Sequence, residues 1–161
     1  MPWTKPYKPA SNQRLDTDLY QQAGRVTFIT IHAYLHKRSF IIDAINRMVI
    51  NTLNSEQDRL DCSVFTYCLM PDHLHFLISP NKDGLSVLTF TNQFKGKTTN
   101  HSWGLGWQGK LWQPRFYDHI VRSNENLQAI AEYISANPVR QEIVSSPEEW
   151  PWSGSFSSLP F

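Results

Sequence analysis

The chain has 161 residues, 40% of them hydrophobic and 13% aromatic, with a formal net charge of +1. That length supports one domain with a real core and not comfortably two, and the apolar content excludes a disordered tail. No apolar run approaches the roughly 18 residues that a membrane-spanning helix needs.

In chain order, residues 1–24 are polar and begin MPWTKPYKPASNQ, with no apolar segment of the kind a secretory leader carries. They read as a mobile N-terminal arm. Residues 25–35, RVTFITIHAYL, are β-branched and aromatic with partial alternation, which predicts a strand. In residues 40–60 the apolar positions Ile41, Ala44, Ile45, Met48, Val49 and Leu53 recur at helical spacing without Gly or Pro. Residues 62–69 predict a second strand, broken by Pro71-Asp72, and residues 73–79 a third, ended by Pro80. A second helix is expected over 85–99, with Leu85, Leu88, Phe90 and Phe94 toward the core. A Trp/Gly-rich loop, HSWGLGWQGK, leads to a fourth strand over 115–121. Ser123 reads as the N-cap of a third helix, 124–136, whose stripe is Leu127, Ile130, Ala131 and Ile134. Asn137-Pro138 is expected to stop it, because a residue before proline is pushed out of helical geometry.

The order β-α-β-β-α-β is the split βαβ pattern. It predicts an α+β, ferredoxin-like domain over 25–143: an antiparallel four-stranded sheet, two helices on one face, and a further C-terminal helix bearing Tyr133. The Ser-, Pro- and Trp-rich residues 144–161 are expected to pack on it as an irregular tail. Cys62 and Cys68 lie six residues apart in one strand, about 20 Å when extended. They cannot bridge and read as free buried thiols of a reducing compartment, so the cytoplasm is expected.

Charge is unevenly spread. Residues 1–42 hold six basic and two acidic groups, and residues 84–122 hold Lys95, Lys97, Lys110, Arg115 and Arg122 against Asp118 alone. Residues 43–83 and 123–161 are net acidic. Such asymmetry suits a polyanion along one face.

The chemistry concentrates in MPDHLHFLI, residues 70–78. On a strand, His73 and His75 point to the same face roughly 7 Å apart, while Leu74 and Phe76 point into the helices. Two imidazoles on the open face can converge on one divalent cation, or can be two half-exposed strand histidines with ordinary hydrogen bonds. In AEYISANP, Tyr133 and Asn137 are four residues apart and share a helical face. Taken singly, the tyrosine reads as packing and the asparagine as a helix C-cap.

Three stretches, MPDHLHFLI, WQPRFYDHIVR (112–122) and YISANPVR (133–140), occur in this order and at spacings that resemble the REP-associated tyrosine transposases. These belong to the single-tyrosine HUH transposases, named for the histidine-hydrophobic-histidine motif. The resemblance spans about residues 25–153. It implies His73 and His75 as metal ligands, Tyr133 as nucleophile, and Asn137 as a third ligand. The implied cofactor is Mg²⁺ or Mn²⁺. Tyr117 is the rival tyrosine, ranked below Tyr133. The implied activity is single-stranded DNA nicking and rejoining through a 5′-phosphotyrosine, at hairpin-associated sites, by a monomer or homodimer. Nucleoid DNA would be its partner. Lys95, Lys97, Lys110, Arg115 and Arg122 are candidate phosphate contacts, and Trp112, with Trp103 or Trp107, a candidate base-stacking group. The runner-up is a catalytically silent hairpin-DNA-binding protein of the same fold. A metallohydrolase unrelated to DNA is a third class.

Overall fold

The computed structural model describes residues 14–160. Its elements are β1 (Thr27–His32), α1 (Asp43–Arg59), β2 (Cys62–Met70), β3 (His73–Pro80), α2 (Val87–Gly104), β4 (Tyr117–Ile120), α3 (Leu127–Ser135), α4 (Asn137–Arg140) and β5 (Ser153–Ser155). They form one antiparallel sheet in the order β4-β1-β3-β2-β5. The first four strands in the order 4-1-3-2 are the split βαβ topology that the pattern predicts. The fifth strand is the difference from expectation. The tail is not wholly irregular: Gly154 pairs with Tyr67, and the main chain on either side bonds β2 through Leu69 N to Trp152 O and Phe156 N to Phe65 O.

The two faces of the sheet are buried differently. Ile29, Ile31, Leu74, Phe76 and Ile78 meet Ile45, Val49 and Leu53 of α1 and Phe90 and Phe94 of α2 in one core. On the other face Phe28, Cys68, Met70 and Leu77 meet Ile130, Ala131 and Ile134 of α3. The face carrying the histidines is therefore covered in part by α3, where an open face was expected. A bulge in β2 between Val64 and Tyr67 sets this division. Val64 and Tyr67, three apart, both enter the first core, and Cys68 and Met70 are thereby turned to the histidine face.

α2 runs to Gly104, past the predicted end at Thr99. Its buried stripe includes Thr91, Thr98 and Ser102, whose hydroxyls donate back to the carbonyls of Val87, Phe94 and Thr99, so they enter the core satisfied. α3 starts later than expected. Asn126, not Ser123, caps it, its side chain accepting the Ala129 N–H at 3.1 Å. Pro138 does not end the helical path. It occupies the first turn of α4, where a missing N–H costs nothing.

Residues 1–13 of the expected arm lie outside the described residues. Residues 14–24 correct the expectation of mobility. A 3-10 turn at Thr17–Gln21 buries Tyr20, which donates to Asp118 Oδ2 at 2.6 Å. Arg14 pairs with the other oxygen of that carboxylate at 2.8 Å. Burial and this bond push the Tyr20 phenol up to about 12. Cys62 and Cys68 are free, buried and on opposite sheet faces. Among the described residues no helix is long and apolar enough to cross a membrane.

Candidate functional site

The register of β1 against β3 builds the site. His32 lies opposite His73 and Thr30 opposite His75, so all four side chains share one sheet face. The rings of His73 and His75 lean together to 4.6 Å between centroids, T-shaped. Each imidazole is held through Nδ1. His73 Nδ1–H donates to Asp72 Oδ1 at 2.7 Å. His75 Nδ1 shares a 2.8 Å hydrogen bond with Thr30 Oγ1, and its ring packs edge-on against Phe28. Tying Nδ1 fixes each ring, and at His73 the carboxylate partner leaves Nε2 with its lone pair.

The His75 imidazole titrates well below its ordinary range, first because it is buried and then because His73, His32 and Arg140 are nearby. It is held neutral, the state a metal ligand requires. The Asp72 carboxyl is held low by its bond to His73.

Asn137 joins this pair across 64 residues of chain. It is 3% exposed, and its amide Nδ2 donates to His73 Nε2 at 3.0 Å. Rotated by half a turn, the amide presents its oxygen beside the same Nε2. Among the described residues no group of three His, Cys, Asp or Glu stands in ligand geometry; Asn137 adds an amide beside the two imidazoles. Two imidazoles and one amide oxygen fit a divalent ion that accepts nitrogen and oxygen and keeps open positions. Tyr133 lies four residues before Asn137, in the last turn of α3, while Asn137 opens α4. The Arg140 guanidinium sits 3.8 Å over the Tyr133 ring and donates to its carbonyl at 2.6 Å. A cavity of about 270 Å³, lined by Arg38, Asp72, His73 and Gln141 among others, opens beside His73.

Around this centre stand groups that the sequence did not single out. His32 packs against His73 and His36, at 5.6 and 4.9 Å between ring centroids. Its Nδ1 is buried without a hydrogen-bond partner among the described residues. Burial, and then the charges of His73 and His36, lower its pKa. The backbone there is strained: Leu35 and His36 are both left-handed, at φ 56° and 53°. That conformation costs about 1–2 kcal/mol for each non-glycine residue. Asp72 was visible in the motif as an acid directly before His73. His32, Thr30 and His36 carry no such signal, because only strand register brings them in.

Of the candidate DNA contacts, Arg115, Arg122 and Lys110 are exposed, with Lys110 over the Tyr34 ring. The others need correction. Trp112 is 4% exposed, packed at a tilt between Phe40 and Phe94, and its Nε1 donates to Thr98. It is a core residue and offers no face to a base. Lys95 donates to the carbonyls of Gln113 and Pro114, and burial lowers its pKa to about 8. Lys97 is engaged by the buried carboxylate of Glu56 at 2.5 Å. Both lysines are built into the fold. Among the described residues Trp103, 52% exposed, is the tryptophan that faces solvent.

Known proteins agree with this architecture. The family described as "Transposase IS200 like" matches residues 22–137, and the chain belongs to that family. It is 24% identical over 134 residues to a REP-associated tyrosine transposase of Escherichia coli K12, covering 83% of this chain and 78% of the relative. It is 26% identical over 140 residues to a Haemophilus influenzae chain provisionally given the same name, covering 81% and 79%. A solved REP-associated tyrosine transposase bound to a REP hairpin shares the fold, with a TM-score of 0.71 at 22% identity over 83% of this chain and 78% of that one.

Proposed function

We propose that this transposase-family chain nicks and rejoins single-stranded DNA at hairpin-associated sites, with Tyr133 as nucleophile. The observation that carries the reading is the convergence of His73, His75 and Asn137, each imidazole held by Nδ1, with Tyr133 in the last turn of the helix that leads to the amide. A free tyrosine phenol has a pKa near 10 and is a poor nucleophile at neutral pH. His73, His75 and Asn137 would hold a divalent ion, Mn²⁺ or Mg²⁺, which would polarise the scissile phosphate.

The residues of the chain do the rest. Arg140, over the Tyr133 ring, restricts the ring and places a cation where charge builds on phosphate oxygens. The Tyr133 oxygen bonds to phosphorus and gives up its proton. The bond from phosphorus to the 3′ oxygen breaks, and that oxygen takes up a proton. The 5′ end is left as a tyrosyl phosphodiester that conserves the bond energy, so a later 3′-hydroxyl can reverse the step. Hairpin DNA as substrate is supported by the neighbour solved with a REP hairpin. Cellular DNA would then be met in the cytoplasm.

The test is covalent capture. Wild type and Tyr133→Phe are incubated with labelled single-stranded oligonucleotides from hairpin-forming repeats flanking the gene, with Mn²⁺, Mg²⁺ or EDTA, and run on a denaturing gel. A band shifted by the mass of the protein, lost with EDTA and in Tyr133→Phe, is expected. Persistence in Tyr133→Phe would overturn the nucleophile. Binding without any band would leave the silent hairpin-binding protein.

A further inference from the structure

Tyr117 has the geometry of something other than a spare nucleophile. It lies on β4, the edge strand, opposite Thr30, which is itself opposite His75. Tyr117, Thr30 and His75 therefore form one row across the site face, spanning two strand spacings, about 10 Å. The next row is His32 and His73. Tyr117 is 40% exposed, large for an aromatic ring that the fold could have buried. Its ring meets that of His32 edge to face at 5.8 Å, and His32 in turn meets His36 at 4.9 Å. The three rings form one contiguous cluster, with His32 paired to His73 of β3 and Leu35 and His36 both left-handed at its rim. Exposed cations flank it: Lys37 and Arg38 follow His36, and Arg115 precedes Tyr117 by two residues.

We propose that Tyr117, buttressed by His32 and His36, is a stacking platform for an unpaired base of the single strand that crosses the site. The inference rests on the reading of the site as a DNA-processing centre and adds where the strand beside the reacting phosphate is held. The occupant follows from the chemistry. A flat exposed ring takes a nucleobase face regardless of sequence, and neighbouring cations take the phosphates on either side. Duplex DNA, with its bases stacked on one another, offers no such face. The phenol's oxygen plays no part, so Tyr117→Phe preserves the platform while Tyr117→Ala removes it.

The probe is a hairpin oligonucleotide from the capture experiment, made blunt or with an unpaired extension carrying 2-aminopurine. Affinity and fluorescence quenching are read for wild type, Tyr117→Phe and Tyr117→Ala, with far-UV circular dichroism as the folding control. Wild type should bind the extended hairpin more tightly and quench the probe. Tyr117→Ala should lose roughly 5- to 100-fold in affinity for the extended hairpin, lose the quenching, and bind the blunt hairpin as wild type does. Tyr117→Phe should behave as wild type in all three. Equal quenching in Tyr117→Ala overturns the platform and leaves the nicking reading standing, as does loss in Tyr117→Phe. Failure of wild type to bind either hairpin overturns both.

Discussion

Asp72 and His73 are neighbours in sequence and partners in space: the carboxylate oxygen accepts the ring Nδ1–H at 2.7 Å. That bond chooses the tautomer with a bare Nε2, the nitrogen that also meets Asn137.

Replacing Asp72 by alanine should lower divalent-metal affinity by about 10- to 100-fold, the usual effect of losing a partner behind a ligating histidine. Titration with Mn²⁺, followed by the electron paramagnetic resonance of the free ion, measures it. Unchanged affinity would show that His73 is not a ligand oriented this way.

Arg140→Ala should slow covalent adduct formation by about 2- to 5-fold, the scale of a cation–π contact at an exposed site. Hairpin affinity should change much less, because one exposed cation is lost from many. Single-turnover capture beside a filter-binding isotherm separates the two. An equal fall in both would make Arg140 a plain phosphate contact.

Glu56 is 1% exposed and binds Arg59 through both oxygens and Lys97 through one. The Arg59 bonds lead in holding its carboxyl below the ordinary range of about 4.5. A carboxyl depressed in the folded state stabilises the fold above its unfolded value and loses that stabilisation as pH falls through the folded value. Glu56→Gln should cost about 1.5–3 kcal/mol at pH 7. The gap between variant and wild type in urea unfolding should shrink below about pH 4.5. A gap independent of pH would mean that shape, not charge, matters there.

Trp112 and Trp103 should separate cleanly. Trp112→Ala empties a site among Phe40, Phe94 and Thr98 and should cost about 3–5 kcal/mol. Trp103→Ala, at an exposed position, should stay within about 0.5 kcal/mol. Denaturant midpoints at constant slope report both.

The paired histidines, the tyrosine helix and the order of the first four strands were legible because each is written in local periodicity. What was missed is non-local. Ser153–Ser155 has neither bulk nor β-branching, and it forms a strand because its neighbours bond β2 and because glycine is required at 154. A Cβ at Gly154 would sit 2.8 Å from the Tyr67 hydroxyl. Ser123 and Asn126 are both good caps, and Glu125 decides between them by drawing its carboxylate to His119 and the Arg122 N–H, which keeps that stretch out of the helix. Lys97 looked like a phosphate contact because its partner, Glu56, is 41 residues away. Asn137 was the exception. A resemblance named it, and no local rule would have carried an amide to a histidine 64 positions earlier.

The strand at Ser153–Ser155 also closes the outer edge of β2. It occupies the outer side of nine-residue β2, leaving the four-residue β4 at the other border. A chain cut before Pro151 would keep every side chain of the histidine site yet bare a long, apolar run of unpaired amides, a template for sheet-to-sheet aggregation. Residues 151–160 thus keep the outer edge of β2 paired.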